Sequence, residues 1–178
     1  MSKFAGLIKQ VRACTICEPY LEHGVRPILQ IDPRAKILIA GQAPGRKVHQ
    51  SGIPFDDASG ERLRLWMGIS KNDFYDATKV AILPMGFCYP GTGKAGDLAP
   101  RSECAIAWRK QLLNQLQQLQ LTLVIGQYAQ RYHLNNRRAS LTETVKSWRD
   151  YWPDNLPLPH PSPRNNRWLK KIRGLNNR

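Results

Sequence analysis

The stretch Gly41–Gly60, GQAPGRKVHQSGIPFDDASG, follows a short apolar run and decides how the rest of this chain is interpreted. The run, KILIA at 36–40, is short and branched, which is typical of a buried strand. The glycines and the proline of Gly41–Gly45 allow a sharp turn and a close approach by another molecule. In open α/β sheets, ligands bind at loops that follow parallel strands. We therefore expect a ligand-binding loop here, and then a helix near 59–69 capped by Ser59.

The glycine turn at 41–45 does not match two common phosphate-binding patterns. It lacks the Gly-Lys-Ser/Thr ending of a phosphate loop, and its glycine spacing differs from that of a dinucleotide fingerprint. An ordinary strand–loop–helix connection remains the alternative that spacing alone allows.

The composition indicates a globular chain with an anionic partner. Of the 178 residues, 42% are apolar, and 27 basic against 13 acidic side chains give a formal net charge of +14. A large positive excess points to a polyanion, and nucleic acid is the first candidate. No basic amphipathic helix or spanning segment favours a membrane. Without a recognisable signal peptide, we expect a cytoplasmic protein. We also expect a monomer.

Apolar periodicity and turn residues predict strands that alternate with helices in a single domain spanning 1–178. A basic loop holds Arg137 and Arg138, and the C-terminal end is also basic. The alternation predicts a three-layer α/β/α sandwich with a short, mainly parallel central sheet. The predicted helices are 3–13, 59–69, 101–119, 127–134 and one that begins at the Ser140 capping box and runs through Trp148, and the predicted strands are 36–40, 80–83, 121–125 and 156–158, with a loop at 84–100.

A second loop, His160–Asn166, follows the last predicted strand. In a parallel sheet it opens on the same edge as the Gly41–Phe55 loop, so the two loops are expected to face each other across one cleft. A histidine beside a proline is also common as a structural residue, and that alternative stays open for His160.

Four cysteines form a second candidate site. Cys14 and Cys17 make a C-x2-C pair, and fifteen residues separate Cys88 from Cys104. Four thiolates can bind zinc or an iron–sulfur cluster. Zinc ribbons usually have two close pairs, so the single close pair favours iron–sulfur. Four unrelated buried thiols, with no metal, are the remaining alternative.

These motifs together resemble the uracil-DNA glycosylase superfamily. The segments GQAPG at 41–45, G-x-P-F at 52–55 and Ser59-Gly60 are similar to its first motif, and His160-Pro161-Ser162 is similar to its second. The longer HPSPRN at 160–165 resembles the branch that selects single strands. The cysteine pattern resembles the [4Fe-4S] branch, and the segments LPMGFCYPG at 83–91 and IGQYAQ at 125–130 resemble those of an uncharacterised bacterial subgroup.

The resemblance implies cleavage of the N-glycosidic bond of a base flipped out of DNA. Gln42 would place or activate water, and Phe55 would stack on the base. His160 would hydrogen-bond the uracil O2 as charge grows on the departing base. The remaining implied site residues are Gly41 and Ala43 beside the base, Ser162, Arg164 and Asn165 at the DNA, and Cys14, Cys17, Cys88 and Cys104 at a [4Fe-4S] cluster.

The chain also departs from the pattern of that branch. Gln42 stands where the iron–sulfur branch usually has Glu, and Val48 and His49 stand where it has acidic residues. The strand that leads to Cys88 lacks the Asn that reads the uracil edge. His49, Asp56 and Asp57 are the local candidates for the missing groups. A nucleic-acid-binding protein on the same fold, weak or inactive in catalysis, is the alternative function.

Overall fold

The computed structural model describes residues 2–94, 96–134 and 140–173, and it describes only the backbone of 171–173. Arg137 and Arg138, which the sequence assigns to a basic loop, lie outside the described residues. In this part of the chain, no helix is long and apolar enough to cross a membrane.

The centre of the molecule is a four-stranded parallel sheet in the order β2-β1-β5-β6. Its strands are short and rich in branched residues, as is typical of buried parallel strands. A two-stranded antiparallel hairpin, β3–β4, lies apart from it. The strands are β1 (Ile37–Ala40), β2 (Val80–Ile82), β3 (Thr92–Gly93), β4 (Gly96–Asp97), β5 (Leu121–Ile125) and β6 (Asn155–Leu158).

Helices flank the sheet and connect its strands. Short 3₁₀ turns lie at Glu18–Tyr20, Trp148–Tyr151 and Pro163–Asn165, and a π-helical turn at Ala105–Arg109. The α-helices of the described residues are α1 (Lys3–Arg12), α2 (Arg46–Ser51), α3 (Ala58–Met67), α4 (Lys71–Tyr75), α5 (Lys110–Leu113), α6 (Gly126–His133), α7 (Leu141–Lys146) and α8 (Asn166–Arg173).

Alternate side chains of β1 enter two separate cores, which gives the three layers. Leu38 joins a core with Val11 of α1 and Leu112 of α5. Its neighbour Ile39 faces the opposite core, with Leu63 of α3 and Phe74 of α4. Successive residues of a strand point to opposite faces, so this strand is covered on both sides. The predicted α/β/α sandwich with a parallel sheet is confirmed.

Local structure differs from the sequence prediction at several places. Residues 46–51 form α2 inside the predicted loop, bounded by Gly45 and by Gly52 at φ 76°. Asp57, and not Ser59, caps α3. The helix predicted over 101–119 is a π-helical turn followed by α5, which ends at Leu113. The predicted loop 84–100 contains the β3–β4 hairpin.

Candidate active site

A cavity with a volume of about 520 Å³ opens at the carboxyl edge of the sheet. Ligand cavities commonly occupy about 300–1,000 Å³. Its walls come from the Gly41–Ser59 segment, the β3–β4 hairpin and the His160 loop. Phe55 and His160 both line it, as the parallel-sheet topology predicts for loops that leave one edge.

Phe55 has a left-handed backbone, with φ 56°, the only described non-glycine residue with a positive φ. Backbone strain of this kind persists where the surroundings fix it, often at functional sites. The surroundings here are two glycines. A Cβ on Gly60 would lie 1.8 Å from the Phe55 carbonyl oxygen, and one on Gly41 would lie 3.4 Å from the ring. The ring also meets Phe74 edge-on at 6.2 Å.

Asp57 supports the same wall by starting α3. Its Oδ1 accepts a hydrogen bond from the Gly60 backbone N–H at 2.9 Å. This is the usual N-cap bond, and it fixes the turn between Phe55 and the helix. Asp57 and Ser59 line the cavity, but the neighbouring Asp56 does not. Of the acidic residues in the first loop, the structure therefore brings Asp57 alone to the site.

His160 presents a neutral imidazole to the cavity. Its Nδ1 accepts a hydrogen bond from the Ser162 backbone N–H at 3.2 Å, so the ring proton of the neutral form belongs on Nε2. Burial lowers the pKa of His160, and Asp57 and Asp97 oppose this only partly. The ring is therefore a fixed hydrogen-bond donor at neutral pH, which suits an electrophilic role better than that of a base.

Two further side chains hold the His160 loop in place. Asn165, predicted to contact DNA, donates its Nδ2 to the His160 carbonyl at 2.7 Å. Arg62 of α3 donates to the carbonyls of Pro161 and Ser162, both at 3.2 Å. The Arg62 bonds couple the second motif to α3, the helix at the end of the first motif. Ser162 and Arg164 line the cavity, whereas Asn165 does not.

Backbone hydrogen bonds hold the Gly41–Gly45 turn in place. The polar side chain of this turn, Gln42, remains available to bind water or ligand. The carbonyls of Gly41 and Gln42 accept hydrogen bonds from the backbones of Met85 and Gly86. Gly41, Gln42 and Ala43 all line the cavity. The Gln42 amide makes no hydrogen bond to another described residue, so it can bind water or ligand.

His49 lies away from the cavity, on α2. The centroid of its ring lies 5.8 Å from that of the Tyr89 ring and 6.4 Å from that of the His23 ring. Burial lowers the pKa of His49, and the charge of Arg26 adds to this effect. The structure thus places His49 with His23 and Tyr89, and not among the residues that line the cavity with Phe55 and His160.

The β3–β4 hairpin supplies a wall that the sequence did not predict. Thr92 and Asp97 are paired across the hairpin, and both line the cavity. The Thr92 hydroxyl donates to Asp97 Oδ1 at 3.0 Å. The glycines around these residues signalled a turn, but nothing local indicated that the turn would fold over the cleft.

The remaining wall is apolar where β2 ends. Ile82 and Pro84 line it. The carbonyls of Leu83 and Pro84 accept hydrogen bonds from Arg109 at 3.1 and 3.0 Å. Arg109 is almost fully buried, so it anchors this segment from behind the cavity.

The four cysteines are free thiols, and three of them are buried. Burial raises the pKa of Cys104 to about 12, and the other three cysteines add to this effect. The Trp108 indole donates to Cys14 Sγ at 3.2 Å. Within the described ranges, no three His, Cys, Asp or Glu side chains form a group that could hold a metal ion as placed. The donor chemistry suits a thiolate-bound metal, but the placement of the side chains does not define one.

Together these features define an α/β protein whose cavity is lined by an aromatic ring and by a neutral imidazole donor. Comparison with known families identifies the family: the model for the uracil DNA glycosylase superfamily matches residues 29–177. The chain belongs to this superfamily, which supports a DNA glycosylase-like function and DNA as a partner. The match begins after the C-x2-C pair, so it does not include Cys14 and Cys17.

Proposed function

We propose that this chain hydrolyses the N-glycosidic bond of uracil, or of another deaminated base, in DNA. The observation that carries the proposal is the shared cavity of Phe55 and His160. A base must leave the stack before an enzyme can reach its glycosidic bond. A cavity with an aromatic ring on one wall and a fixed N–H donor on another suits such a flipped base.

Each cavity residue then has a distinct role. The Phe55 ring stacks on the base while the Gly41 and Ala43 backbone lies along its edge. His160 Nε2–H donates to the base O2 as the C1′–N1 electrons move onto the ring. One donor of this kind contributes roughly 3–4 kcal/mol to the transition state. The Gln42 amide orients the attacking water.

The positive charge of the chain suits DNA as its partner. Arg46, Lys47 and Arg164 line the cavity, in a chain whose formal net charge is +14. Phosphate contacts supply most of the affinity for DNA and weaken with added salt. We place Ser162 and Arg164 near the phosphates beside the flipped nucleotide, with Asn165 behind them.

The test is a panel of single- and double-stranded oligonucleotides containing uracil, hypoxanthine or xanthine. We expect base release from at least one of them, detected by alkaline cleavage at the abasic site. His160→Ala should lower the single-turnover rate by about 100-fold or more. The exposed His23, replaced by Ala, is the matched control and should keep the rate. No release from any substrate would reject the glycosylase.

The apolar wall favours a second candidate, a DNA-binding protein that does not excise bases. Ile82 and Pro84 offer no side-chain hydrogen bond to a base edge. A site built on polar contacts loses discrimination when one is missing. Salt-dependent binding to the same oligonucleotides, with no base release, would identify this function.

We also propose that Cys14, Cys17, Cys88 and Cys104 hold a [4Fe-4S] cluster, with zinc as the alternative. The support is the donor chemistry of four free thiols, of which Cys17 and Cys88 pack in one buried cluster. The cluster would link the segment after α1 to the π-helical turn and take no part in bond cleavage. Iron and acid-labile sulfide in anaerobically purified protein would establish it. Zinc alone would favour the alternative, and a fully folded metal-free protein would reject both.

A further inference from the structure

The proposed hydrolysis needs a group that can take a proton from the attacking water, and the first motif does not supply one. Gln42 is an amide, which orients water but does not accept its proton near neutral pH. His160 Nδ1 is occupied by the Ser162 N–H, and its Nε2 carries the ring proton. Among the described residues that line the cavity, the carboxylates are Asp57 and Asp97.

Asp57 has a structural role as the N-cap of α3. Its Oδ1 accepts the Gly60 N–H at the start of α3, and Gly60 in turn contacts the Phe55 backbone. Asp57 therefore holds the turn that presents the aromatic ring. A proton on this carboxylate would weaken the cap, because the charged form accepts the stronger hydrogen bond.

Asp97 is held in a way that leaves one oxygen available. Its Oδ1 accepts the Thr92 hydroxyl, which also bonds to the hydroxyl of the buried Tyr89. Its Oδ2 has no hydrogen-bond or ion-pair partner among the described residues. A Cβ placed on Gly45 would lie 3.4 Å from this oxygen. The carboxylate thus lies against Gly45, at the end of the first-motif turn, and lines the same cavity as Gln42 and His160.

We propose that Asp97 is the catalytic base that activates the water. The proposal rests on the proposed glycosylase function and assigns one of its steps. The water oxygen forms a bond to C1′ as the C1′–N1 bond breaks. The electron pair of that bond goes to the base, whose charge His160 Nε2–H stabilises. One water proton passes to Asp97 Oδ2 and is later released to solvent. Gln42 and Asp97 hold the same water from two sides.

The decisive comparison uses Asp97→Asn and Asp57→Asn. Both changes are isosteric, and both preserve local hydrogen bonds, since Asn also accepts from Thr92 and also caps helices. On an oligonucleotide that the wild type cleaves, Asp97→Asn should lower the single-turnover rate by about 100-fold or more, as removal of a general base does. Affinity for the same oligonucleotide carrying an unreactive 2′-fluoro nucleotide should stay within about threefold.

Chemical rescue shows whether Asp97 acts as a catalytic base or has only a structural role. Formate added to Asp97→Ala should restore part of the rate, because it replaces the missing proton acceptor but does not repair the hairpin. Asp56→Asn is the acidic control outside the cavity and should keep the wild-type rate. A near-normal rate for Asp97→Asn, or a loss confined to Asp57→Asn, would overturn the assignment while the glycosylase function stands. An inert wild type would reject both proposals.

Discussion

Gly60→Ala tests how the aromatic wall of the cavity is built. Gly60 lies in the first turn of α3, where alanine would ordinarily favour the helix by about 0.5–1 kcal/mol. A Cβ there would lie 1.8 Å from the Phe55 carbonyl oxygen and 2.7 Å from its carbonyl carbon. These atoms belong to the backbone, so no side-chain rotation relieves the overlap.

The required movement sets the magnitude of the effect. The carbonyl oxygen must retreat by about 1.2 Å to reach the 3.0 Å that real Cβ contacts keep. Overpacking of this kind costs about 1–3 kcal/mol, which lowers Tm by about 3–10 °C in a chain of this size. The movement carries the Phe55 ring with it. A displacement of about 1 Å at a reacting site can lower a rate by about 100-fold.

Gly6→Ala is the matched control, since Gly6 also lies in a helix but has open space around its Cβ position. We expect Gly6→Ala to raise the unfolding free energy by about 0.5–1 kcal/mol and to leave base release unchanged. Urea unfolding and single-turnover assays measure both effects. If Gly60→Ala is as stable and as active as Gly6→Ala, then the contact between Gly60 and Phe55 does not shape the site.

Three further outcomes follow from the described contacts. Burial holds the pKa of His133 at about 3 against an ordinary 6.5, so acidification protonates the unfolded chain first and lowers stability. In His133→Gln, the glutamine side-chain oxygen still accepts a hydrogen bond from Arg109. Its loss of unfolding free energy between pH 7 and pH 5, measured by urea unfolding, should be about 2 kcal/mol smaller than that of the wild type. An equal loss in the two proteins would refute this. Asn165→Ala should cost about 1 kcal/mol and slow base release, because the His160 carbonyl loses its donor; an unaltered rate would show that this bond does not position the imidazole. Phe55→Leu should weaken binding of a flipped base by about 1–3 kcal/mol in a titration with the unreactive oligonucleotide, and equal affinity would exclude stacking.

The sheet and its cleft were predictable because they depend on local apolar runs and one topological rule. The run at 36–40 and the run at 121–125 are buried strands in the structure, as their branched residues indicated. The loops that follow parallel strands lie on one edge of the sheet, so the convergence of the Phe55 and His160 loops could be predicted from the sequence.

The features that were not predicted have different causes, two of them local and one that depends on contacts between distant segments. Ser59 has a good capping side chain, but the Phe55 turn starts the helix two residues earlier, at Asp57. The segment 46–51 lacks glycine and proline and lies between two glycines, and that signal could have revealed α2. The position of Asp97 over the cleft follows from tertiary packing of the hairpin, which no local pattern in 84–100 encodes.

The cavity described above is assembled from three stretches, 41–59, 92–97 and 160–164, that are far apart along the chain. Each stretch contributes a different element: a ring, a carboxylate and an imidazole. Under the proposed function, a fragment that lacks any one of these stretches loses one of the three groups, and a cut between the stretches separates groups that line the same cavity. A minimal active fragment must keep the whole sheet, because the strands position the loops that carry these three groups.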